Sequence, residues 1–168
     1  MEVERAKKEF LEAYDTYADA LFRHCFLRVS DREQAIDITQ ETFLRVWQYI
    51  EKGNKVGNMR SFLYTILSNQ IIDYYRKKKS SSLDAIHEKG FEIESGRYGA
   101  SQIFKETETQ HLLSKLHTLN DNYREILILR YVDGLSILEI SEILGKKENS
   151  VSVQINRATE QLKKKLRL

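Results

Sequence analysis

The chain has 168 residues, enough for one medium domain or for two small ones that each bury a modest core. Its 41% apolar and 31% charged residues, without a single proline, exclude a disordered or collagen-like protein and favour a largely helical one. A formal net charge of +2 indicates no particular partner, and a single cysteine, Cys25, excludes an internal disulfide framework. The N-terminus lacks the apolar core of a signal peptide, and no apolar run could cross a bilayer, so we expect a cytoplasmic protein without membrane insertion.

Two amphipathic helices are predicted first, because apolar residues recur at three- and four-residue steps from Phe10 to Cys25 and again after Asp31. Ser30 and Glu33 have the spacing of a capping box, so the second helix is expected from about Asp31 to Ile50. Its buried side is predicted to hold Ile36, Phe43, Trp47 and Ile50. A mainly acidic set remains for the opposite side, where it fits either plain solvation or a partner: Asp37, Gln40, Glu41 and Arg45.

A loop and a third helix follow. Two glycines and two asparagines between Glu51 and Asn58 break the second helix, and Asn58 or Ser61 can cap the third. The third helix ends in a basic run and carries polar residues beside two tyrosines: Thr65, Asn69, Asp73, Tyr74, Tyr75, Arg76 and Lys77. A polar stripe is often only the solvent-exposed side of a helix. Cations suit phosphates and aromatic rings suit unstacked bases, however, so nucleic-acid binding is an equally good interpretation.

From Ser80 to about Phe104 the periodicity fades, and serines and glycines become frequent. A structureless stretch this long is uncommon inside a compact domain. We therefore predict a flexible interdomain linker over residues 80–104, which joins a domain of residues 1–79 to a domain of residues 105–168. The expected fold is all-α, with two small helical domains.

The second domain is predicted to begin with a helix through Ile103 and Leu116, followed by a buried helix from Tyr123 to Val132. Ser136 and Glu139 form a second capping box, which opens a short helix that Gly145 can end. Either of two residues can cap the last helix: Asn149 or Ser150.

A short capped helix, a turn and a longer helix with a basic end describe a helix-turn-helix, although plain helical bundles contain similar hairpins. Seven basic residues after Gly145 favour DNA. Beside the apolar stripe of the last helix, Val153 can meet a thymine methyl, Asn156 an adenine edge and Arg157 a guanine or a phosphate. Two lysines of the turn suit phosphates: Lys146 and Lys147.

Signs of catalysis and of cofactors are missing from the sequence. The four histidines are scattered, and none stands at metal-ligand spacing from cysteine or carboxylate residues. There is also no glycine-rich phosphate loop and no nucleophile elbow. We expect no enzyme, no metal and no cofactor.

Several motifs resemble a known family. IDITQETFLRVW at 36–47, FLYTI at 62–66 and NQIIDYYRKKK at 69–79 resemble the second region of extracytoplasmic-function (ECF) sigma factors, members of the sigma-70 family of bacterial RNA polymerase. LN at 119–120, YRE at 123–125, YVDGLS at 131–136, EI at 139–140 and RA at 157–158 resemble their fourth region. Two such blocks in this order, with a linker between them, are a stronger signal than either alone.

The resemblance implies an alternative sigma factor that binds core RNA polymerase and directs promoter-specific transcription initiation. It implies that Asp37, Gln40, Glu41 and Arg45 dock on the clamp helices of the largest polymerase subunit. The fourth region implies a contact with the polymerase flap. An anti-sigma factor is a common partner in the family, although no residue of this chain indicates one.

Promoter contacts are implied as well. The loop 52–58 and the helix 61–79 match the elements that capture the nontemplate strand of the minus-ten element, where Asn69 holds a flipped base. The minus-ten candidates are Asn58, Asn69, Asp73, Tyr74, Tyr75, Arg76 and Lys77, and Phe62 stands where many members have tryptophan. The minus-thirty-five candidates are Lys146, Lys147, Ser152, Val153, Asn156 and Arg157. Two residues stand where many relatives have lysine or arginine: Ser152 and Gln154.

Two other classes of function compete with the sigma factor. A stand-alone helix-turn-helix regulator would bind a palindrome as a dimer without polymerase, whereas a sigma factor is a monomer that copurifies with core polymerase. A helical adaptor with solvated charge would show no salt-dependent DNA binding.

Overall fold

The structure, a computed structural model, describes residues 1–81 and 107–167. The chain divides into two compact units, Met1–His87 and Glu88–Leu168. The regular elements of the described residues are all helical, which confirms the all-α class. The predicted linker, residues 80–104, lies outside the described residues except for its first two positions, and those two still belong to a helix.

The described part of the first unit, residues 1–81, contains three helices: α1 (Glu2–Val29), α2 (Arg32–Glu51) and α3 (Met59–Ser81). Each of them contacts the other two. The core between them contains fully buried aliphatic side chains: Leu21, Leu27, Val46, Leu63, Leu67 and Ile71.

The turn between α1 and α2 differs from the predicted capping box. Ser30 adopts the left-handed conformation, with φ 57°, and its N–H donates to the carbonyl of Phe26 at 2.9 Å, which ends α1. Only Asp31 remains before α2, and its Oδ1 accepts from the backbone N–H of Gln34 at 3.1 Å. The predicted partnership of Ser30 with Glu33 is therefore wrong, because Ser30 ends one helix and Asp31 caps the next.

The buried side of α2 also differs from the prediction. Phe43 is buried as expected, but Ile36, Trp47 and Ile50 are only half-buried. Smaller residues that share the face towards α1 and α3 are buried instead: Ala35, Thr39, Thr42 and Val46. A helix that packs between two neighbours brings its small side chains to the closest approach and leaves its larger ones at the margins. The amide of Gln70 on α3 donates to the Thr42 hydroxyl at 2.8 Å and links α2 to α3 inside this core.

The second unit contains α4 (Thr107–His117), α5 (Asp121–Leu127), a π-helical turn (Ile128–Val132), α6 (Ile137–Leu144) and α7 (Glu148–Leu166). The guanidinium of Arg124 donates to the carbonyls of Leu116, His117 and Leu119 at 3.3, 2.6 and 3.0 Å, and so satisfies the end of α4. Burial lowers the pKa of His117 to about 4, and the positive charge of Arg124 contributes a smaller part of this effect. The predicted position of Ile103 lies outside the described residues.

Two helix boundaries of this unit match the prediction. The Ser136 hydroxyl accepts from the N–H of Glu139 at 3.1 Å, and Gly145 ends α6 in the left-handed conformation. The expected helix from Tyr123 to Val132 instead begins at Asp121, capped by Asn120, and its last turn widens so that the N–H of Asp133 donates to Ile128, five residues back.

The caps proposed for the last helix are wrong. This helix already begins at Glu148, after Lys147, so Asn149 and Ser150 lie inside its first turn. Over the described residues, the helices are all too short or too polar to cross a membrane.

Candidate polymerase and DNA interfaces

The mainly acidic residues of α2 lie on one side of the helix, at steps of three, one and four residues. Asp37, Gln40 and Arg45 are exposed, and Glu41 is half-buried. The Arg45 Nε lies 2.9 Å from the Glu41 Oε1, one helical turn away. We call Asp37, Gln40, Glu41 and Arg45 the acidic strip. Its backbone is fixed from the opposite side by the packed core, so it presents its side chains in a defined arrangement.

The polar candidates of α3 form an exposed face. Asn69, Asp73 and Arg76 are exposed, and an Arg76 guanidinium nitrogen lies 3.8 Å from the Asp73 carboxylate. At the start of the helix the Asn58 side chain accepts from the N–H of Ser61 at 3.0 Å, so of the two predicted caps Asn58 is the one used. This bond fixes the point where the loop enters α3.

The two tyrosines of α3 have different environments. The hydroxyl of Tyr75 donates to the carbonyl of Arg28 on α1, a bond that ties the end of α3 to the first helix. Tyr74 is half-buried, with its ring centroid 5.6 Å from that of Tyr75 and 5.9 Å from the ammonium of Lys78. Burial raises the pKa of Tyr74, and the nearby Asp31 carboxylate raises it further. Tyr75 thus has a structural bond, whereas Tyr74 and the exposed Lys77 border the polar face.

The candidates of α7 lie opposite its buried stripe of Val151, Ile155 and Ala158. Asn156 and Arg157 are exposed, Val153 is 47% exposed, and Ser152 is half-buried. In the turn before α7, the exposed Lys146 donates to the side-chain oxygen of Gln154 at 3.0 Å, and Lys147 occupies the N-cap position.

A cleft of about 580 Å³ adjoins these side chains. One wall is formed by α7, through Val153, Gln154 and Arg157, and the other by the start of α5, through Asn122 and Tyr123. That the start of α5 lies beside α7 could not be predicted from the sequence, because this proximity depends on how the two helices pack.

Three further features of the described residues concern possible metal ligands, the cysteine and an aromatic contact. Residues 1–81 and 107–167 contain no group of three or more histidine, cysteine or carboxylate residues that could hold a metal ion. Burial raises the pKa of Cys25 to about 12, against a smaller opposing effect of Arg28, so this thiol is a packing group. One exposed aromatic contact that sequence reasoning missed lies where α2 ends and α3 begins: Tyr49 against Phe62.

Comparison with known families matches both units. The model of sigma-70 region 2 matches residues 13–81, and that of sigma-70 region 4 matches residues 110–162. The two regions in this order define a sigma factor of the sigma-70 family.

Individual relatives narrow the family further. The ECF RNA polymerase sigma factor SigW of Bacillus subtilis is 30% identical over 166 residues, which cover 94% of this chain and 89% of SigW. The ECF RNA polymerase sigma factor BldN of Streptomyces coelicolor is 28% identical over 165 residues, which cover 95% of this chain and 62% of BldN. This chain therefore belongs to the ECF RNA polymerase sigma factors. It is a non-enzymatic initiation factor that binds core RNA polymerase and promoter DNA, which excludes the stand-alone regulator as its function.

Solved structures show the same fold. The sigma factor RpoE of Bartonella quintana, solved with the anti-sigma factor NepR, has a TM-score of 0.78 at 23% identity, with 96% of this chain and 98% of that chain covered. CnrH, solved with the cytosolic domain of CnrY, has a TM-score of 0.67 at 22% identity, with 98% and 94% covered.

Proposed function

We propose that three separate surfaces divide the work of this sigma factor. The acidic strip of α2 binds the clamp helices of the largest polymerase subunit, the polar face of α3 holds the nontemplate strand of the minus-ten element, and α7 reads the minus-thirty-five element. The observation that supports this proposal is that the candidate side chains of each helix lie mostly on its solvent side, opposite a buried stripe. The site of action is the cytoplasm.

The acidic strip suits a protein partner better than DNA. Asp37 and Glu41 would repel phosphates, whereas they attract the basic and amide side chains of a partner helix. Both side chains of the Glu41–Arg45 pair are about half exposed, so each can leave this pair for a charged group of the partner at little cost. Reversal of the Glu41 charge would place like charges together and weaken the complex.

The α3 face suits an unpaired strand. Asn69 offers both a donor and an acceptor to a base edge, and it is exposed on a helix held by a packed core. Arg76 and Lys77 are positioned for phosphates, and the exposed 3.8 Å contact of Arg76 with Asp73 does little to restrain Arg76. Flipping a base costs stacking energy, which a fitted pocket around Asn69 would offset.

The α7 face suits the major groove of a duplex. Val153 offers a methyl contact, Asn156 an amide that can pair with adenine, and Arg157 a fork for guanine or phosphate. Ser152 lies beside them, and Lys146 and Lys147 precede the helix, where they can hold the flanking phosphates. The polymerase flap is a further partner for this unit.

An anti-sigma factor is proposed as a regulator. The support is the fold shared with RpoE of Bartonella quintana, which was solved with the anti-sigma factor NepR. An inhibitor of this kind would lower the binding of this chain to core polymerase in a titration, and the inhibition would reverse with excess core enzyme.

The assignment of the three surfaces can be tested with three variants, one for each surface. Glu41→Lys should weaken binding to core polymerase in a fluorescence anisotropy titration. Asn69→Ala should bind core polymerase normally but reduce promoter opening, measured as permanganate reactivity of unpaired thymines. Arg157→Ala should instead weaken binding to duplex DNA of the minus-thirty-five element.

Matched controls accompany these variants. Glu9→Lys makes the same charge change at an exposed α1 residue that also has an arginine Nε at 2.9 Å, one turn away, and it should bind polymerase as the wild type does. Gln110→Ala removes an exposed amide from α4 and should not affect promoter opening. The assignment is wrong if Glu41→Lys and Asn69→Ala, both folded, impair the two activities equally.

A further inference from the structure

The turn before α7 is joined to α7 by a hydrogen bond between two side chains. The ammonium of Lys146 donates to the Oε1 of Gln154 at 3.0 Å. The backbone of Lys146 is itself fixed, because its N–H donates to the carbonyl of Ser141 at 3.0 Å, at the end of α6. Gln154 is held by α7, whose next residue, Ile155, is buried in the core. We call Lys146 and Gln154 the lysine–glutamine pair.

The bond to Lys146 determines which way round the Gln154 amide lies. A lysine ammonium has three N–H donors and no acceptor, so only the oxygen of the amide can face it. The NH2 group of Gln154 is therefore the part of the amide that remains for a ligand. A glutamine without such a neighbour can rotate its amide and offer either its oxygen or its NH2 group. The pair thus makes Gln154 a donor only.

Gln154 lies in the part of α7 that is suited to a base edge. It is half-buried and lines the cleft of about 580 Å³ together with Val153 and Arg157. Since α7 begins at Glu148, Gln154 belongs to its first two turns. The N-terminal residues of a recognition helix are the ones that contact base edges in the major groove. Gln154 was not among the candidates predicted from the sequence, because its bond to Lys146 depends on the fold of the turn.

The fixed amide favours guanine over adenine. In the major groove guanine offers acceptors at both N7 and O6, whereas adenine offers an acceptor at N7 and a donor at N6. A free glutamine binds adenine with its oxygen at N6 and its NH2 group at N7. Because Lys146 holds the oxygen of Gln154, the NH2 group would face the N6 donor of adenine. Solvent weakens the Lys146 bond in the free protein, but bound DNA excludes water and strengthens it.

We propose that Gln154 is a specificity-determining residue that reads a guanine of the minus-thirty-five element, and that Lys146 is the positioning residue that sets this choice. The inference rests on the proposed function of α7. Lys146 keeps two N–H donors besides its bond to Gln154, so it can hold a phosphate at the same time. Loss of the Lys146 ammonium frees the amide to rotate and to accept adenine.

The test uses holoenzyme assembled from core polymerase and this protein, with promoters that it transcribes and whose minus-thirty-five element is randomised. Sequencing of the DNA before and after capture gives the ratio of guanine to adenine at each position, which does not depend on overall affinity. The wild type should favour guanine roughly 5- to 150-fold at one position, the range expected for one good base contact. Gln154→Ala should bring this ratio to within about threefold of parity and leave the other positions unchanged.

Substitutions of two adjacent lysines separate the positioning of the amide from charge. Lys146→Met should abolish the guanine preference at that position or reverse it towards adenine, because the amide is free to rotate. Lys146→Arg should keep the preference, since a guanidinium also only donates. Lys147→Met removes the same charge from the next residue, which is also exposed. It should weaken binding to all sequences alike and leave the ratio unchanged.

Three results would overturn the proposal. They are a guanine preference that persists in folded Lys146→Met, a Gln154→Ala variant that changes no position, and a wild-type preference for adenine at the position that Gln154→Ala affects. Arg157→Ala distinguishes this failure from that of the proposed function. If Arg157→Ala also binds the duplex as the wild type does, the assignment of α7 itself fails, whereas a defect in Arg157→Ala alone rejects only the reading by Gln154.

Discussion

The hydrogen bond between Gln70 and Thr42 gives a prediction about the stability of the first unit. The buried Gln70 amide donates to the Thr42 hydroxyl at 2.8 Å, and that hydroxyl donates to the Ile38 carbonyl at 2.8 Å. Thr42→Val keeps the shape of the side chain but removes the acceptor. The Ile38 carbonyl keeps the backbone bond of the helix, so only the Gln70 amide loses its partner.

The expected cost follows from that orphaned amide. A buried polar group without a partner destabilises by about 1–3 kcal/mol, which corresponds to roughly 4–8 °C in Tm for each kcal/mol in a unit of this size. Gln70→Leu removes the amide and leaves the Thr42 hydroxyl bonded to Ile38, so it should cost less. In the Gln70→Leu background, Thr42→Val should therefore be nearly neutral.

Urea unfolding measures this double-mutant cycle. Trp47 is the only tryptophan of the chain and lies in α2, so its fluorescence follows the first unit alone. The free energies of unfolding of the wild type, both single variants and the double variant give the coupling between the two residues. If Thr42→Val costs the same with and without the Gln70 amide, the bond does not stabilise the unit, and the reasoning is refuted.

Three further predictions concern single residues. Cys25, with its pKa raised to about 12 by burial, should resist iodoacetamide at about pH 8 until urea unfolds the protein, and rapid alkylation of the folded protein would contradict this. Burial and Arg124 lower the folded-state pKa of His117 to about 4, so the unfolded chain binds a proton at His117 at a higher pH than the folded protein does. The free energy of unfolding of the second unit should therefore be unaffected by His117 above about pH 6.5 and should fall as the pH is lowered towards 4. In urea titrations followed by circular dichroism, His117→Gln should reduce this fall, and an equal fall in the variant would contradict the prediction. Gly145→Ala forces a side chain into φ +63° and should cost about 1 kcal/mol, whereas Gly57→Ala, with no positive φ, should cost less; equal costs in thermal melts would reject the strain argument.

Helical spacing predicted most of the elements because a helix that packs on a neighbour must bury a stripe of period 3.6. Gly145 and Ser136 were also predictable, since a left-handed end and a hydroxyl cap depend on a few adjacent residues. Ser30 was not, because the same serine can open one helix or close another, and the choice depends on the bond to Phe26. The widened turn at Ile128 also left no local mark in the sequence.

The candidate interfaces show the same limit. The exposure of Asn69, Asn156 and Arg157 follows from their position opposite an apolar stripe, and so could be predicted. The bond from Tyr75 to the Arg28 carbonyl spans 47 positions in the chain and depends on how α3 crosses α1. Tyr49 escaped notice because an isolated tyrosine at a helix end resembles ordinary core until its contact with Phe62 is known.

Run-off transcription tests the central claim most directly. Bacterial core polymerase is supplied with this protein and a library of promoter-length DNA, and the transcripts are sequenced. The account predicts defined start sites that appear only with the protein, share two upstream elements and disappear with folded Glu41→Lys. An absence of specific transcripts with folded protein and active core polymerase, or transcripts unaffected by Glu41→Lys, would contradict it.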